Sequence, residues 1–277
     1  MESKCDTMLV IGNGFDLSLG LKTSYGDFMS NIRYYVVDTP FNHKIISYLI
    51  EKVQKENWID IENELKNYAN ICGYDEVFYK FKNDYKLLCS LLSRYLSDVI
   101  EESKDKELKA NPKLINALNQ TESNGLFILN FNYTDTVHTL FDNEPTFPVI
   151  KHHIHGSLVD GKDIVFGVED GYKLKQEHSF LYKSHNRVLN VNHLNERFED
   201  AKHILFYGYS LGQTDHSYFE DFFREQSTKG CERKKFDFFY YDEAAYDDLF
   251  WQLRTLTNNR MVQFKTFYEE NFIKVKE

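Results

Sequence analysis

The sequence feature that most constrains the fold is an apolar run near the N-terminus that stops at two glycines. Met8 to Ile11 is apolar throughout and predicts a buried strand. The turn Gly12-Asn13-Gly14-Phe15-Asp16 follows, and a helix is expected to begin within Leu17 to Leu21. A strand, a glycine-rich turn and a helix N-terminus form a phosphate site, because glycines let backbone N–H groups approach an anion that the helix dipole also favours.

This turn departs from the dinucleotide-binding fingerprint. The fingerprint Gly-x-Gly-x-x-Gly requires a third glycine at position 17, where this chain has Leu17. A tight structural turn that binds nothing would show the same two glycines. Both interpretations therefore stay open from this stretch alone, and the other strand ends have to discriminate between them.

The length and charge of the chain limit the classes of protein to which it can belong. Its 277 residues fit one large α/β domain, or a domain with a sizeable insertion. The hydrophobic fraction of 42% is sufficient for a packed core. A formal net charge of −10 argues against general nucleic-acid binding, because such proteins present a broad basic surface.

The cysteines and the N-terminal residues predict a cytoplasmic protein. The four cysteines include no Cys-x-x-Cys pair and have no histidine at zinc-ligand spacing, so they are expected to be reduced thiols. The N-terminus lacks the pattern of a signal peptide, and no apolar run has the length of a membrane span. We therefore expect a soluble protein that does not contact a membrane.

Segments typical of strands alternate with segments typical of helices. Strands are expected at 8–11, 126–129, 149–154, 164–167, 203–207, 236–241 and 261–267. Helical spacing dominates from about 43 to 120, with its longest stretch at about 74–104, and further helices are expected at about 180–200 and 243–256. This alternation predicts a Rossmann-like α/β fold with a mostly parallel sheet, as one domain over 1–277 with a helical insertion at about 40–120.

Four predicted strands end in polar residues, at 12–16, 132–135, 155–157 and 208–215. The C-terminal ends of parallel strands meet at one edge of a sheet, where ligands bind. We therefore expect these four segments to form a functional cleft.

His155, Asn132 and Asp135 are the candidate catalytic residues of this cleft. An imidazole is suited to accepting or orienting a hydroxyl proton at neutral pH, although a histidine at a strand end is often only a hydrogen-bonded surface residue. His152 and His153 precede His155, but no carboxylate or thiolate partner accompanies them in the pattern. No metal is therefore expected.

Gly208-Tyr209-Ser210-Leu211-Gly212 matches the Gly-x-Ser-x-Gly nucleophile elbow of serine hydrolases. In that class an acid and then a histidine follow the serine, whereas the only histidine after Ser210 is His216, six residues later. A serine hydrolase is therefore disfavoured. A polar loop that includes Gly208, Ser210 and Asp215 and surrounds a ribose or phosphate explains the same residues better.

Taken together, these motifs resemble the signature of the AbiH family of bacterial abortive-infection proteins, which act against phages. The turn 12–16 is followed by Leu-x-x-Gly-Leu-x-Thr-x-Tyr-x-x-Phe, and the segments 58–62, 131–135, 154–158 and 208–215 resemble the other blocks of that family. The similarity covers almost the whole chain. It implies a role in antiviral defence, with which a phage-derived trigger and a homo-oligomer are both compatible.

AbiH proteins are in turn distantly similar to the sirtuin fold, whose Rossmann-like domain binds NAD. By this resemblance Gly12 and Gly14 match the phosphate-binding Gly-Ala-Gly turn of sirtuins. Asn132 matches the asparagine of the Asn-x-Asp motif that lies near the nicotinamide ribose. This sequence differs from the sirtuin motif at Asp135, which is three residues after Asn132 rather than two.

Two further motifs extend the resemblance to sirtuins. His155 with Gly156 matches the catalytic His-Gly pair, and Gly208 with Ser210 matches the Gly-x-Ser loop near the adenine-side ribose. The zinc-binding cysteines of sirtuins are absent, which disfavours deacylation of proteins. The resemblance therefore implies cleavage of NAD at the nicotinamide–ribose bond, with a small-molecule nucleotide as the partner.

Two alternatives remain open at this point. A non-catalytic module that senses NAD or ADP-ribose would keep the phosphate loops but would not need His155 or Asn132. The segment Trp58-x-Asp60-x-Glu62 is compatible with a lid over the cleft and equally with a capped, packed helix.

Overall fold

The computed structural model describes residues 5–36, 44–56, 60–71, 77–121, 124–141, 145–159, 164–186, 193–228 and 234–276. Its strands are β1 (Thr7–Ile11), β2 (Leu126–Asn130), β3 (Val149–His153), β4 (His203–Tyr207), β5 (Lys235–Tyr240) and β6 (Glu269–Lys274). Its α-helices are α1 (Asn13–Ser18), α2 (Tyr25–Val36), α3 (Lys44–Glu56), α4 (Ile61–Ile71), α5 (Val77–Ser103), α6 (Pro112–Asn119), α7 (Leu194–Asp200), α8 (Glu220–Gln226), α9 (Glu243–Leu256) and α10 (Met261–Phe267).

The described strands form one parallel sheet in the order β3-β2-β1-β4-β5-β6. The predicted Rossmann-like α/β fold is thereby confirmed. In register, Ile11 of β1 lies opposite Asn130 of β2 and Tyr207 of β4, so these three strands end at the same level. This is the order of a doubly wound dinucleotide-binding sheet, in which the direction of winding reverses beside the first strand.

The chain divides into two compact units. The sheet unit comprises 1–20, 108–154 and 190–277 and contains all the described strands together with α1 and α6 to α10. The helical unit comprises 21–107 and 155–189 and contains α2 to α5. The expectation of a single domain with a helical insertion at about 40–120 stays a prediction.

The core of the sheet unit is rich in aromatic side chains. Strands β1, β2 and β4 are buried along their whole length, as parallel strands are when both faces of the sheet are covered. Phe206 of β4 stacks on Phe238 of β5 with ring centroids 5.0 Å apart, and Phe264 of α10 contacts Phe236 at 5.0 Å. These rings attach the C-terminal helix α10 to the strands.

The core of the helical unit is built on α5. The apolar stripe predicted for the segment 74–104 is buried at Phe81, Leu88, Leu91, Leu92, Tyr95 and Leu96. Tyr95 contacts Phe28 of α2, and its hydroxyl donates to the carbonyl of Lys22 at 2.7 Å. The stripe is therefore a packing surface between helices of the same unit.

Two predictions for the segments between 164 and 200 are wrong. Ile164 to Gly167 is buried but is not a strand, because its N–H groups bond elsewhere: Val165 donates to the carbonyl of His155 at 2.7 Å. Residues 187–192 of the helix expected at about 180–200 lie outside the described residues, and in the described part α7 is the α-helix. Short 3-10 turns, Gln176–Leu181 and Lys183–His185, precede it.

Two further boundaries differ from the prediction. The segment 261–267 is the helix α10 and not a strand, since Met261, Phe264 and Tyr268 are buried at helical spacing while the residues between them are exposed. The last strand, β6, follows it. The first helix begins at Asn13, inside the glycine turn, rather than at Leu17.

In the part of the chain that the structure describes, no helix has both the length and the apolar character that crossing a membrane requires.

Candidate functional site

The reversal of strand order falls between β1 and β4, and each of these strands ends there in a glycine turn. The segment 12–16 follows β1, and the segment 208–215 follows β4. Asn132 and Asp135 follow β2, which pairs with β1 on its other side. Three of the four predicted segments therefore lie at the same edge of the sheet, beside the crevice where doubly wound folds bind dinucleotides.

The two glycine turns are in direct contact. The backbone N–H of Gly14 donates to the carbonyl oxygen of Gly208 at 2.8 Å. A Cβ atom on Gly14 would lie 2.6 Å from the Cα of Gly208, and a Cβ on Gly208 would collide with the backbone nitrogen of Phe15. Gly208 also has a positive φ of +61°. Both positions require glycine, because no side chain fits between the turns.

This contact explains the glycines without a ligand. The N–H of Gly12 donates to the carbonyl of Tyr207 at 3.3 Å, so two N–H groups of the first turn are directed into the protein. A Cβ on Gly12 would lie 2.6 Å from the Tyr209 ring. Phosphate binding by the segment 12–16 therefore stays a prediction, for which half-buried Asn13, the first residue of α1, is a remaining candidate.

Phe15 faces the interior of the sheet unit. Its side chain is fully buried, and its ring meets that of Tyr207 edge to face with centroids 5.9 Å apart. The part of Phe15 that contributes to the turn is therefore its backbone.

Asp16 is a buried carboxylate held by two hydroxyl groups. Its Oδ2 accepts a hydrogen bond from Thr134 Oγ1 at 2.5 Å, and its Oδ1 accepts one from Thr136 Oγ1 at 2.6 Å. Burial raises the pKa of Asp16 above its usual value, although the two hydroxyl hydrogen bonds lower it in part. Because Asp16 follows β1 and the threonines follow β2, this cluster joins two strand ends.

Asn132 bridges the same two strand ends. Its side-chain Nδ2 donates to the carbonyl of Gly12 at 3.0 Å, and its backbone N–H donates to Asn130 Oδ1 at 2.8 Å. Nδ1 of His153 lies 3.0 Å from the carbonyl oxygen of Asn132. Because Nδ2 donates to the Gly12 carbonyl, the orientation of the Asn132 amide is fixed. Its Oδ1 is the remaining hydrogen-bond acceptor.

Asp135 has one paired and one unpaired oxygen. Its Oδ2 lies 2.7 Å from Nζ of Lys151 on β3. Its Oδ1 is buried, and no hydrogen-bond donor reaches it among the residues that the structure describes. The ion pair makes Asp135 better suited to orienting neighbouring groups than to reacting itself.

His155 is the second residue after β3 and begins the helical unit. Its side chain is 5% exposed, and its carbonyl accepts the N–H of Val165. Gly156 follows with a φ of +83°, and Ser157 is buried, its Oγ accepting the N–H of Val159 at 3.2 Å. The backbone around His155 is thus fixed by hydrogen bonds within its own unit.

The turn after β4 does not have the contacts of a serine nucleophile. Ser210 is exposed and lacks the positive φ that its neighbour Leu211 has. Nε2 of His216 lies 3.0 Å from the carbonyl oxygen of Leu211 and 3.0 Å from Gln252 Oε1. These two groups, rather than Ser210, are therefore its partners. Asp215 is buried and accepts the hydroxyl of Tyr209 at 3.1 Å. These contacts disfavour a serine hydrolase.

The segment 58–62 is packed into the helical unit where it is described; Trp58 lies outside the described residues. Asp60 accepts the N–H of Asn63 at 3.1 Å and so caps the start of α4. Glu62 is buried, pairs with Nζ of buried Lys183 at 3.1 Å, and accepts the N–H of Gly167 at 3.2 Å. A capped, packed helix accounts for these contacts better than a lid.

The site includes two residues that sequence reasoning missed, Thr134 and Thr136. The only signal for them was their position beside Asp135 in a segment that follows a strand. In the described residues no three His, Cys, Asp or Glu side chains are grouped so that they would hold a metal ion.

Comparison with known families gives one match. The model of the family described as bacteriophage abortive infection AbiH matches residues 8–237, a range that contains every candidate site residue discussed above. No curated protein matches the chain.

Proposed function

Because the chain belongs to the AbiH family of bacteriophage abortive-infection proteins, we propose that it acts in phage defence by binding NAD and hydrolysing the nicotinamide–ribose bond. Membership of the family supports the defence role. The observation that carries the proposed chemistry is the reversal of strand order between β1 and β4, beside which both glycine turns lie. Dinucleotides bind at this position in doubly wound sheets.

The proposed reaction makes few demands on acid–base chemistry. Nicotinamide in NAD is already a cationic leaving group, so it departs with the electron pair of the C–N bond and needs no proton. A water oxygen forms the new bond to the ribose carbon, and the proton of that water passes to a base. The protein has to hold the ribose, stabilise the positive charge that develops there and position the water.

Three residues have contacts that suit these roles. Nδ2 of Asn132 is occupied by the Gly12 carbonyl, so its Oδ1 is oriented to accept a hydrogen bond from the water. His155 is the proposed base because His155-Gly156 resembles the catalytic His-Gly pair of sirtuins. Asp16, with Thr134 and Thr136 beside it, is the proposed acceptor for ribose hydroxyls.

One contact favours a second candidate function, the non-catalytic sensing of NAD or ADP-ribose. Asp135, a candidate catalytic residue, is ion-paired with Lys151. A sensor requires only that the nucleotide be bound, and it needs no reacting group at positions 132 or 155.

Release of nicotinamide by the purified full chain separates the two functions. We expect the unmodified protein to release nicotinamide, and we expect His155→Ala and Asn132→Ala each to lower the rate by about a hundredfold or more, the scale of losing a positioned base or water. Both variants should still bind NAD in calorimetry. His138→Ala, which removes an exposed histidine, is the matched control and should retain full activity.

Three outcomes would contradict the proposed hydrolysis. Binding of NAD without any release of nicotinamide, or unchanged rates in both variants, would exclude the hydrolysis and favour the sensor. Failure of NAD, ADP-ribose and ATP to bind at all would contradict both functions.

A further inference from the structure

The helical unit contains a cavity of about 680 Å³, all of whose described lining residues belong to that unit. We call it the α5 cavity: one face of α5 from Lys82 to Ser93 forms one wall, and residues 164–166 and 180–186 contribute the rest. Its volume lies within the range of small-molecule sites, which is roughly 300 to 1,000 Å³. The function proposed above does not use this cavity.

The charged groups of the α5 cavity are of one sign. Lys82 and Lys86 are four residues apart on α5, which places them on the same face of the helix, and His185 adds a group that is positive when protonated. The described lining contains no Asp or Glu. Within the described residues, neither lysine has a carboxylate within ion-pair distance. In a chain of net charge −10, this local excess of positive charge favours an anionic ligand.

Three aromatic rings line the α5 cavity: Tyr85 on α5 itself, and Phe166 and Phe180 on the segments opposite. The rings of Tyr85 and Phe166 lie parallel, at an angle of 5° with centroids 6.3 Å apart. Phe180 contacts Tyr85 at 5.4 Å, and Nζ of Lys82 lies 6.0 Å from the Phe180 ring centroid. Phe166 and Phe180 are buried, so Tyr85, which is only partly buried, is the ring that offers apolar surface beside the lysines. Such a surface suits a ligand that carries both an aromatic ring and a negative charge.

The walls of the α5 cavity are held by hydrogen bonds. The hydroxyl of Tyr85 donates to the carbonyl of Phe166, which joins the helix to the segment opposite. The hydroxyl of Tyr182 accepts the N–H of Leu174 at 3.0 Å and donates to the carbonyl of Tyr172 at 2.8 Å. A rigid wall loses little conformational entropy when a ligand binds.

We propose that the α5 cavity binds a nucleoside phosphate. The phosphate lies at Lys82 and Lys86, the base lies against the Tyr85 ring, and the hydroxyls of Ser90 and Ser93 face the sugar. The proposal does not depend on hydrolysis of NAD or on nucleotide binding at the strand ends.

Calorimetry with the purified full chain tests this assignment, with ADP, adenosine and inorganic phosphate as probes. We expect ADP to bind more tightly than either fragment, because only ADP carries both the ring and the charge. The double variant Lys82→Ala/Lys86→Ala should weaken ADP binding by about tenfold or more, since hydrogen bonds to charged groups are lost. The control Lys80→Ala/Lys106→Ala removes the same charge from exposed positions outside the cavity and should bind ADP normally.

A second variant tests whether ADP occupies the space inside the α5 cavity. Ser93→Phe fills part of the space without changing the charge, and it should weaken ADP binding while thermal unfolding shows that the protein remains folded. ADP binding that is unchanged in Lys82→Ala/Lys86→Ala would overturn the proposal, because the nucleotide would then occupy another site. Absence of ADP binding, or phosphate binding as tight as that of ADP, would overturn it as well.

Discussion

At the scale of single residues, the buried polar groups at the strand ends are bonded to the protein itself. The amide of Asn132 is tied to the Gly12 carbonyl, and the carboxylate of Asp16 accepts two threonine hydroxyls. A buried polar group without such partners would cost about 1–3 kcal/mol of stability. The same bonds also fix the direction in which each remaining acceptor points, which is what a binding site requires.

Asp16→Asn tests whether the Asp16 carboxylate lowers the stability of the fold while it contributes to nucleotide binding. A raised pKa means that the folded protein binds the proton more readily than the unfolded chain does. Stability is therefore lost as the pH rises from the ordinary pKa through the raised one, and the full loss is present above it. An asparagine has nearly the same shape and no charge, so we expect a higher Tm at pH 7 and weaker nucleotide binding.

Calorimetric unfolding at pH 7 and at pH 4 gives the measurement. The gain in Tm should shrink at the lower pH, because a raised pKa means that more of the folded protein carries a protonated aspartate there. Asp247→Asn, at an exposed position on α9, is the control for loss of one charge. A lower Tm in Asp16→Asn at pH 7 would show that the carboxylate stabilises the fold.

At the scale of elements, a buried chain of polar contacts connects α6, β4, β5 and β6 at the N-terminal side of the sheet. His203 lies between Thr121 and Asp237: its Nδ1 is 2.9 Å from Thr121 Oγ1, and its Nε2 is 2.7 Å from Asp237 Oδ2. Asn271 donates to the other oxygen of Asp237 at 2.6 Å. These contacts fix a helix and three neighbouring strands relative to one another within the sheet unit.

Asp237→Asn should remove the pH dependence of stability that ionisation of this carboxylate causes. Burial alone would raise the pKa of Asp237, but hydrogen bonds from His203 and Asn271 and the charges of His203 and Lys235 outweigh it and hold the pKa below its usual value. A depressed pKa contributes stability above the ordinary pKa of about 3.9, and that stability is lost as the pH falls through the folded value.

We therefore expect Asp237→Asn to lose roughly 3 kcal/mol at pH 7, because a buried pair is broken. The difference from the unmodified protein should shrink only as the pH falls from about 3.9 through the lowered pKa of folded Asp237. Urea unfolding across this pH range measures both effects. A constant difference at all pH values would mean that Asp237 acts only through its shape.

At the scale of the whole molecule, the proposal is that the protein acts in phage defence on a small molecule. The chain carries a net charge of −10, which disfavours the phosphate backbone of phage DNA or RNA as a ligand. Membership of the AbiH family supports a role in abortive infection. Removal of a central metabolite such as NAD is a way in which one small enzyme is able to stop the growth of an infected cell.

Overproduction of the protein in bacteria tests this at the level of the cell. We expect cellular NAD to fall before growth stops, because the proposed hydrolysis consumes it. His155→Ala should leave both NAD and growth normal, whereas His138→Ala should behave as the unmodified protein. Growth arrest with normal NAD, or full arrest by the His155→Ala protein, would favour the sensor instead.

Local sequence was sufficient for most of the strands and helices. Short apolar runs such as 126–129 and 203–207 are strands because their side chains are buried on both faces of the sheet. Helix α9 has the predicted bounds because Asp242 caps it and its buried residues recur at helical spacing. The run 164–167 is equally apolar but forms no ladder, so apolar character alone does not separate a strand from a buried irregular segment.

The sequence by itself determined the α/β class, the parallel sheet and the segments that end its strands, since these follow from the spacing of apolar residues along the chain. Only the tertiary structure decided which of those residues meet. The contact of Gly14 with Gly208, the threonines around Asp16 and the α5 cavity join residues far apart in the chain. Such contacts depend on strand order and on packing between segments that are distant in the chain. They therefore produce no local pattern of apolar residues from which they could be predicted.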